Sequence, residues 1–138
     1  MPDIDRKNIF RIMDANFNRA KEGLRVCEDV CRFFLDNKSV TRQFKDIRHE
    51  LTTIFSQSVL KQIIASRDVA RDVGRPSSGL EFKRKWMSDA FYANVQRVKE
   101  SIRVLEEVMK LMNVRSAEKL KNIRYKVYAL ERKVVAQL

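Results

Sequence analysis

Residues 14–34, DANFNRAKEGLRVCEDVCRFF, align without a gap to residues 92–112, YANVQRVKESIRVLEEVMKLM, and nine of the 21 positions are identical, against about one or two by chance. The likeness runs on past a connection two residues shorter in the second copy, where Lys45-Asp46-Ile47-Arg48 returns as Lys121-Asn122-Ile123-Arg124. A segment that recurs in this way is a unit that buries its apolar face against its own copy. Each half therefore reads as a long helix, a short turn and a returning helix. Only three Gly and two Pro interrupt the 138 residues, which removes most of the places where a helix would stop.

The apolar period agrees. Val40, Phe44, Ile47, Leu51 and Ile54 step by four and three in the second arm, and Leu120, Ile123, Val127, Leu130 and Val134 do so in the fourth. That is the narrow stripe of helices packed in antiparallel bundles. On the first helix Phe17, Ala20, Leu24, Cys27, Cys31 and Phe34 share the inward face. Asp36-Asn37-Lys38-Ser39 and the run from Asn113 to Ser116 each end one helix and cap the next, while Asp3 or Asp5 suits the first cap. The pattern predicts helices near 5–36, 40–63, 82–112 and 117–136 in a single all-α domain over 1–138. Its repeat halves lie at about 5–63 and 82–136, joined by a loop at about 64–81 that holds two of the three Gly. Short connections make neighbours antiparallel, so the expected architecture is an up-down-up-down four-helix bundle of two duplicated hairpins with pseudo-twofold symmetry.

Several function classes fall away. Hydrophobic residues at 44% are ordinary for a globular chain, so disorder is not the reading. No apolar run approaches the ~18 residues of a membrane span, no signal-peptide pattern is present, and a cytoplasmic protein is expected. Cys27 and Cys31 lie four apart on one helical face, where a disulfide is geometrically awkward, and the single His, His49, gives them no metal-ligand partner set. They read as two small buried hydrophobes. The 29 Lys and Arg exceed the 18 Asp and Glu by 11, which favours an anionic ligand: nucleic acid, anionic lipid or a phosphorylated small molecule. Neither GxxxxGK[ST] nor GxGxxG occurs, so phosphate would be held by Arg and Lys side chains or helix N-termini.

Some residues do not fit a plain bundle. Asn16 and its copy Asn94 fall inside the inward sector, with Arg19 and Arg97 at its edge. A polar group on a core face loses hydration unless it is hydrogen-bonded. The paired Asn and Arg either line a polar pocket between helices, the favoured reading, or cap a broken helix near Asp14 or fix register. Glu22, Arg25, Glu100 and Arg103 have the spacing of surface ion pairs, whereas Glu28 and Glu106 lie nearer the apolar boundary and are candidates for ligand or metal contacts. Arg48 and His49 sit beside the core stripe of the second helix. In the connection, Arg67-Asp68-Val69-Ala70-Arg71-Asp72-Val73-Gly74 offers arginines to an anion and carboxylates to magnesium, or is a solvated linker with internal ion pairs.

These same residues carry a resemblance. The run Asp14-Ala15-Asn16, Asn18-Arg19-Ala20, Glu22-Gly23-Leu24-Arg25-Val26 and Glu28-Asp29, with Arg32-Phe33, Arg48-His49, Arg67-Asp68, Asp72-Val73-Gly74 and Ala93-Asn94 with Arg97 and Glu100, is similar to a bacterial domain often fused in front of thiamine-phosphate synthase. That family is assigned as an alternative hydroxymethylpyrimidine-phosphate kinase, unrelated to the ribokinase-like enzyme. The resemblance spans nearly the whole chain, with departures at Arg71, where a small residue is expected, and at Ser101, which stands for Gly23 in the second copy. It implies ATP-dependent phosphorylation of a pyrimidine monophosphate to its diphosphate. No barrel domain follows Leu138, so a stand-alone kinase domain rather than the synthase is expected.

The expected catalytic set is Arg19, Arg67, Asp68 and Asp72; Asn16, Arg48, His49, Asn94, Arg97 and Gly74 would bind substrate or nucleotide. Magnesium would rest on Asp68 and Asp72 with Glu28 or Glu106. The expected partners are ATP, the phosphorylated pyrimidine, and a thiamine-phosphate synthase, with a homodimer open and no membrane. Two rivals stand beside the kinase: a non-catalytic module docking on the synthase, and a basic nucleic-acid-binding bundle.

Overall fold

The structure, a computed structural model, describes residues 3–77 and 79–138, with only the backbone of Ile4 and Leu80; Ser78 of the connecting loop lies outside the described residues. It is all-helical, with no strand among those residues. Helix α1 spans Asp3–Asp29 and runs into a π-helical turn, Val30–Phe34. Helices α2 (Lys38–Ile54), α3 (Gln57–Ala65), α4 (Met87–Met109) and α5 (Val114–Val135) complete the chain, with a short 3-10 turn at Gly79–Phe82. None of them is long and apolar enough to cross a membrane.

The expected stripes form the core. Val40, Phe44, Ile47 and Leu51 of α2 are buried, as are Leu120, Ile123, Val127, Leu130 and Val134 of α5. The turns are alike in both copies: Asn37 caps α2 by accepting from the Val40 N–H at 3.2 Å, and Asn113 caps α5 by accepting from Ser116 at 3.2 Å. Asp36, at φ 50°, takes the left-handed conformation that lets the chain reverse before the Asn37 cap.

Several expectations are corrected. The helix placed at 40–63 is two helices, because Phe55 is extended and buried while the Ser56 side chain caps α3 by accepting from Val59. The third long helix begins at Met87 rather than 82, because Asp89 Oδ2 accepts from the Lys85 and Trp86 N–H groups at 2.9 and 2.8 Å and sets the start there. Phe34 is exposed: the π turn adds a residue to one turn and rotates the chain beyond it, so Val30 and Cys31 stay inside while Phe33 and Phe34 swing out. Nor does α1 break near Asp14.

The topology differs as well. Helices α1, α2, α5 and α4 close a ring in which each packs on two neighbours. Within each hairpin the helices run antiparallel. Between the halves, Asn37 bonds Gln137, Gln43 bonds Lys133 and Glu50 bonds Lys126, so α2 and α5 are antiparallel too. Phe10 and Met13 of α1 line one cavity with Met109, the last residue of α4, and Met112 just beyond it, whereas Gly23 lies against the Asn94 carbonyl, so this pair is also antiparallel. The chain order is therefore up-down-down-up. The short-loop rule holds inside each hairpin, but the residues between α2 and α4 include a helix and a long loop that carries the chain back along the bundle before α4 begins.

Candidate functional site

A cavity of about 570 Å³ opens between the N-terminal half of α1 and the segment after α3. Its α1 wall comprises Asn8, Arg11, Ile12, Asp14, Ala15, Asn16 and Arg19; its other wall comprises Arg67, Asp68, Val69 and Asp72. The size suits a small ligand.

Each polar group is held by local geometry. Asn16 is buried and donates to the Ile12 carbonyl one turn back at 2.9 Å, leaving its Oδ1 to accept from Arg19 Nη1 at 3.3 Å. The Ser66 hydroxyl donates to the Ile63 carbonyl at 2.5 Å at the end of α3. The next residue, Arg67, reaches across to the buried Asp14 in a two-pronged bond, Nε to Oδ2 at 2.7 Å and Nη2 to Oδ1 at 2.6 Å. Asp14 also accepts from Asn18 at 3.1 Å. The Asp14 carboxylate pushes the Arg67 guanidinium further toward its charged form. Asp68 accepts from the Arg71 N–H at 3.2 Å and Asp72 from the Gly74 N–H at 2.9 Å, fixing both carboxylates in tight turns on the rim. Arg11 and Arg19 make no ion pair among the described residues and supply positive charge that no carboxylate offsets, whereas the charge of Arg67 is balanced by Asp14.

The cavity thus gathers Asn16, Arg19, Arg67, Asp68 and Asp72. Other sequence candidates lie elsewhere. Arg48 sits on α2 and is locked to Glu28, Nε to Oε1 at 3.1 Å, in a second cleft toward the far end of α1. Glu106 is locked to Arg124 at 2.8 Å. Neither glutamate joins Asp68 and Asp72, and the described residues contain no group of three or more carboxylate, Cys or His side chains able to hold a metal. Asn94 bonds back to the Ala90 carbonyl at 2.8 Å, and neither it nor the exposed Arg97 and His49 lines either large cavity. Gly74 contributes only through its turn with Asp72.

Sequence reasoning missed Asp14 as a site residue, and one signal existed: the repeat puts Tyr92 in its place, so the hairpin itself does not require the acid. Cys27 and Cys31 are free and buried as expected.

The ThiD2 family model matches residues 11–133. A thiamine-phosphate synthase of Synechocystis sp. is 42% identical over 124 residues, covering 89% of this chain and 35% of the relative. The thiamine-phosphate synthase of Rhodopirellula baltica is 36% identical over 135 residues, covering 97% of this chain and 36% of the relative. The chain spans about a third of the length of these curated relatives. No solved structure matches.

Proposed function

The chain belongs to the ThiD2 family, and from that premise we propose that it acts in thiamine biosynthesis as an ATP-dependent kinase converting hydroxymethylpyrimidine phosphate to the diphosphate. The observation that carries this reading is the single cavity in which Asn16 and Arg19 of α1 meet Arg67, Asp68 and Asp72 of the connection.

Phosphoryl transfer asks a protein to align two phosphates, neutralise their charge and keep water away, with little covalent help. Arg19 and Arg11, unpaired and on the α1 wall, suit the substrate phosphate. Asn16 and Asn8 offer amide donors and acceptors to a pyrimidine edge. Arg67 is a positioning residue: tied to Asp14, it holds the rim against α1. Asp68 and Asp72, both on the cavity lining, would hold magnesium, which keeps much of its shell for water and substrate phosphates and asks few protein ligands. When bound, nucleotide and magnesium would supply the phosphoryl group and its charge neutralisation. A substrate phosphate oxygen forms the new bond to phosphorus as the bond to the ADP oxygen breaks, and because that oxygen is already ionised the protein needs no general base.

We further infer that the helical ring is a four-helix bundle whose halves are related by a pseudo-twofold axis. The pairs Glu28–Arg48 and Glu106–Arg124, and the caps Asn37 and Asn113, support this relation.

The test measures ADP release and diphosphate product with purified protein, hydroxymethylpyrimidine phosphate, ATP and magnesium. Arg19→Ala should lower turnover about a hundredfold, the scale of a lost charge contact in a transition state. Undiminished turnover in Arg19→Ala or Asp68→Ala would remove the site. A folded protein without turnover that binds a thiamine-phosphate synthase would favour the non-catalytic module, which is suggested by the share of the relatives' length that this chain matches.

A further inference from the structure

Four cations at the end of α1 and the start of α2 are left unused by the proposed site. They line a cleft of about 730 Å³ with Arg25, Glu28, Asp36, Asn37, Thr41 and Arg48. Glu28 is already neutralised by Arg25 at 2.9 Å and Arg48 at 3.1 Å. Arg32, Lys38, Arg42 and Lys45 have no ion-pair partner among the described residues, although all four face this one cleft. Like charges gathered on one concave surface repel each other and focus a positive field outward, which a bound anion relieves.

The duplication supplies an internal control. In the second hairpin the equivalents of Glu28, Arg48, Arg25 and the Asn37 cap are kept, as Glu106, Arg124, Arg103 and Asn113. Of the free cations only Lys45 recurs, as Lys121. Val114 stands for Lys38 and Glu118 for Arg42, while Lys110, in the place of Arg32, is paired with Glu107 at 2.7 Å. The fold of a hairpin therefore does not require the full set of free charges. The two cavities are also separate. Their linings are centred on different halves of α1, roughly 20 Å apart at the rise of an α-helix, too far for a phosphoryl group to pass between those centres.

We propose that this cleft is a second anion site, which takes a small molecule carrying two or more linked phosphates. Three or four negative charges on such a group match the four free cations, and the open cleft admits it without displacing the buried Glu28–Arg48 pair.

The probe is inorganic tripolyphosphate, titrated calorimetrically against the full chain at low and physiological salt. Lys38→Val with Arg42→Glu places the second hairpin's own residues in the first, and should weaken binding at least tenfold; Lys45→Ala alone should weaken it several-fold. Arg19→Ala, in the other cavity, should leave it within twofold. Unchanged affinity in both Lys38→Val/Arg42→Glu and Lys45→Ala, or loss of binding in Arg19→Ala, overturns the assignment. A short DNA duplex that binds far more tightly than tripolyphosphate, and loses that binding in Lys38→Val/Arg42→Glu, would also overturn it and make the cleft part of a nucleic-acid face. The readout is binding, so it stands whether or not the protein turns over ATP.

Discussion

Replacing Arg124 with Met should cost this protein about 2–4 kcal/mol of stability, and replacing Glu106 with Met as well should recover most of that loss. Glu106 is 2% exposed. Its Oε2 accepts from Arg124 Nε at 2.8 Å and, more weakly, from the half-exposed Arg103 at 3.4 Å; its Oε1 has no hydrogen-bond partner among the described residues. Removing one partner of a buried ion pair leaves an uncompensated charge, a loss of about 3–5 kcal/mol. Arg103 stays behind and offsets a part, hence the lower range. Arg124→Met keeps the stem that packs beside the core and removes only the charged fork, together with its 3.1 Å bond to the Tyr128 hydroxyl. In the double variant no buried carboxylate remains at this position, the unpartnered Oε1 disappears, and a net change within about 1 kcal/mol of the parent is expected. Urea unfolding monitored by helical circular dichroism measures all three, with an unchanged slope on denaturant as the check that the unfolded state is comparable. A loss below about 1 kcal/mol in Arg124→Met, or single losses that simply add in the double variant, would refute the reasoning by placing the pair in effective contact with water.

The same geometry sets other expectations. Arg67→Ala should cost about 1 kcal/mol, less than a fully buried pair because Arg67 is itself partly exposed, and should speed amide exchange after α3; unchanged exchange there would mean that Asp14 does not hold the segment. Gly23→Ala brings a Cβ to 2.7 Å from Val98 Cγ2 and 3.0 Å from the Asn94 carbonyl oxygen, so overpacking of about 1–3 kcal/mol should outweigh a helix-propensity gain of about 1, giving a net loss in urea unfolding. Burial pushes the Cys31 thiol up to about 11 and raises that of Cys27 too, so at pH 8 Ellman's reagent should label neither in the native protein and both in urea. The Trp86 and Lys85 N–H groups hold the Asp89 carboxyl below its ordinary value. Its contribution is therefore complete above that value and lost as pH falls through the lower native one, and Asp89→Asn should flatten the acid limb of the stability curve.

The hairpins were legible because two signals coincide in them: a period of four and three, and a second copy that repeats it. The break at Phe55 was not, because the apolar stripe continues through it; Phe55 leaves α2 yet stays in the core, edge-on to Phe17 at a centroid distance of 5.1 Å. Periodicity likewise cannot register a π turn, whose one extra residue sends Phe34 to solvent. The relative direction of the halves depends on a long connection whose path no local pattern encodes. The site was half legible. Asn16, Arg19 and the Arg67–Asp72 segment were each visible as misfits, but the bond joining them, Asp14 to Arg67, spans 53 residues and depends on where α3 ends.

The repeat also changes what recurrence means in this chain. Several residues present in both copies hold the scaffold: Glu28 and Glu106 each bind an arginine from the returning helix, Arg25 and Arg103 each lean on that glutamate, and Asn37 and Asn113 each cap, whereas Asn16 and Arg19 recur as Asn94 and Arg97 and only the first copy lines a large cavity. The Asn94 amide bonds its own helix as Asn16 does, without reaching a large cavity. Some of the charges that differ between copies lie at the two cavities: Asp14 against Tyr92, Arg42 against Glu118, Lys38 against Val114, and the Arg67–Asp72 segment that α3 positions. Selection for a duplicated fold fixes the first class in both halves, because each hairpin needs its ion pair and its cap. Ligand contacts are free to survive in one half only. In a duplicated bundle, recurrence alone therefore does not separate scaffold from site, since Glu28 and Asn37 recur as scaffold while Asn16 and Arg19 recur with one copy on a cavity; a charged residue that breaks the repeat beside a cavity, as Asp14 and Arg42 do, is the sharper mark of chemistry.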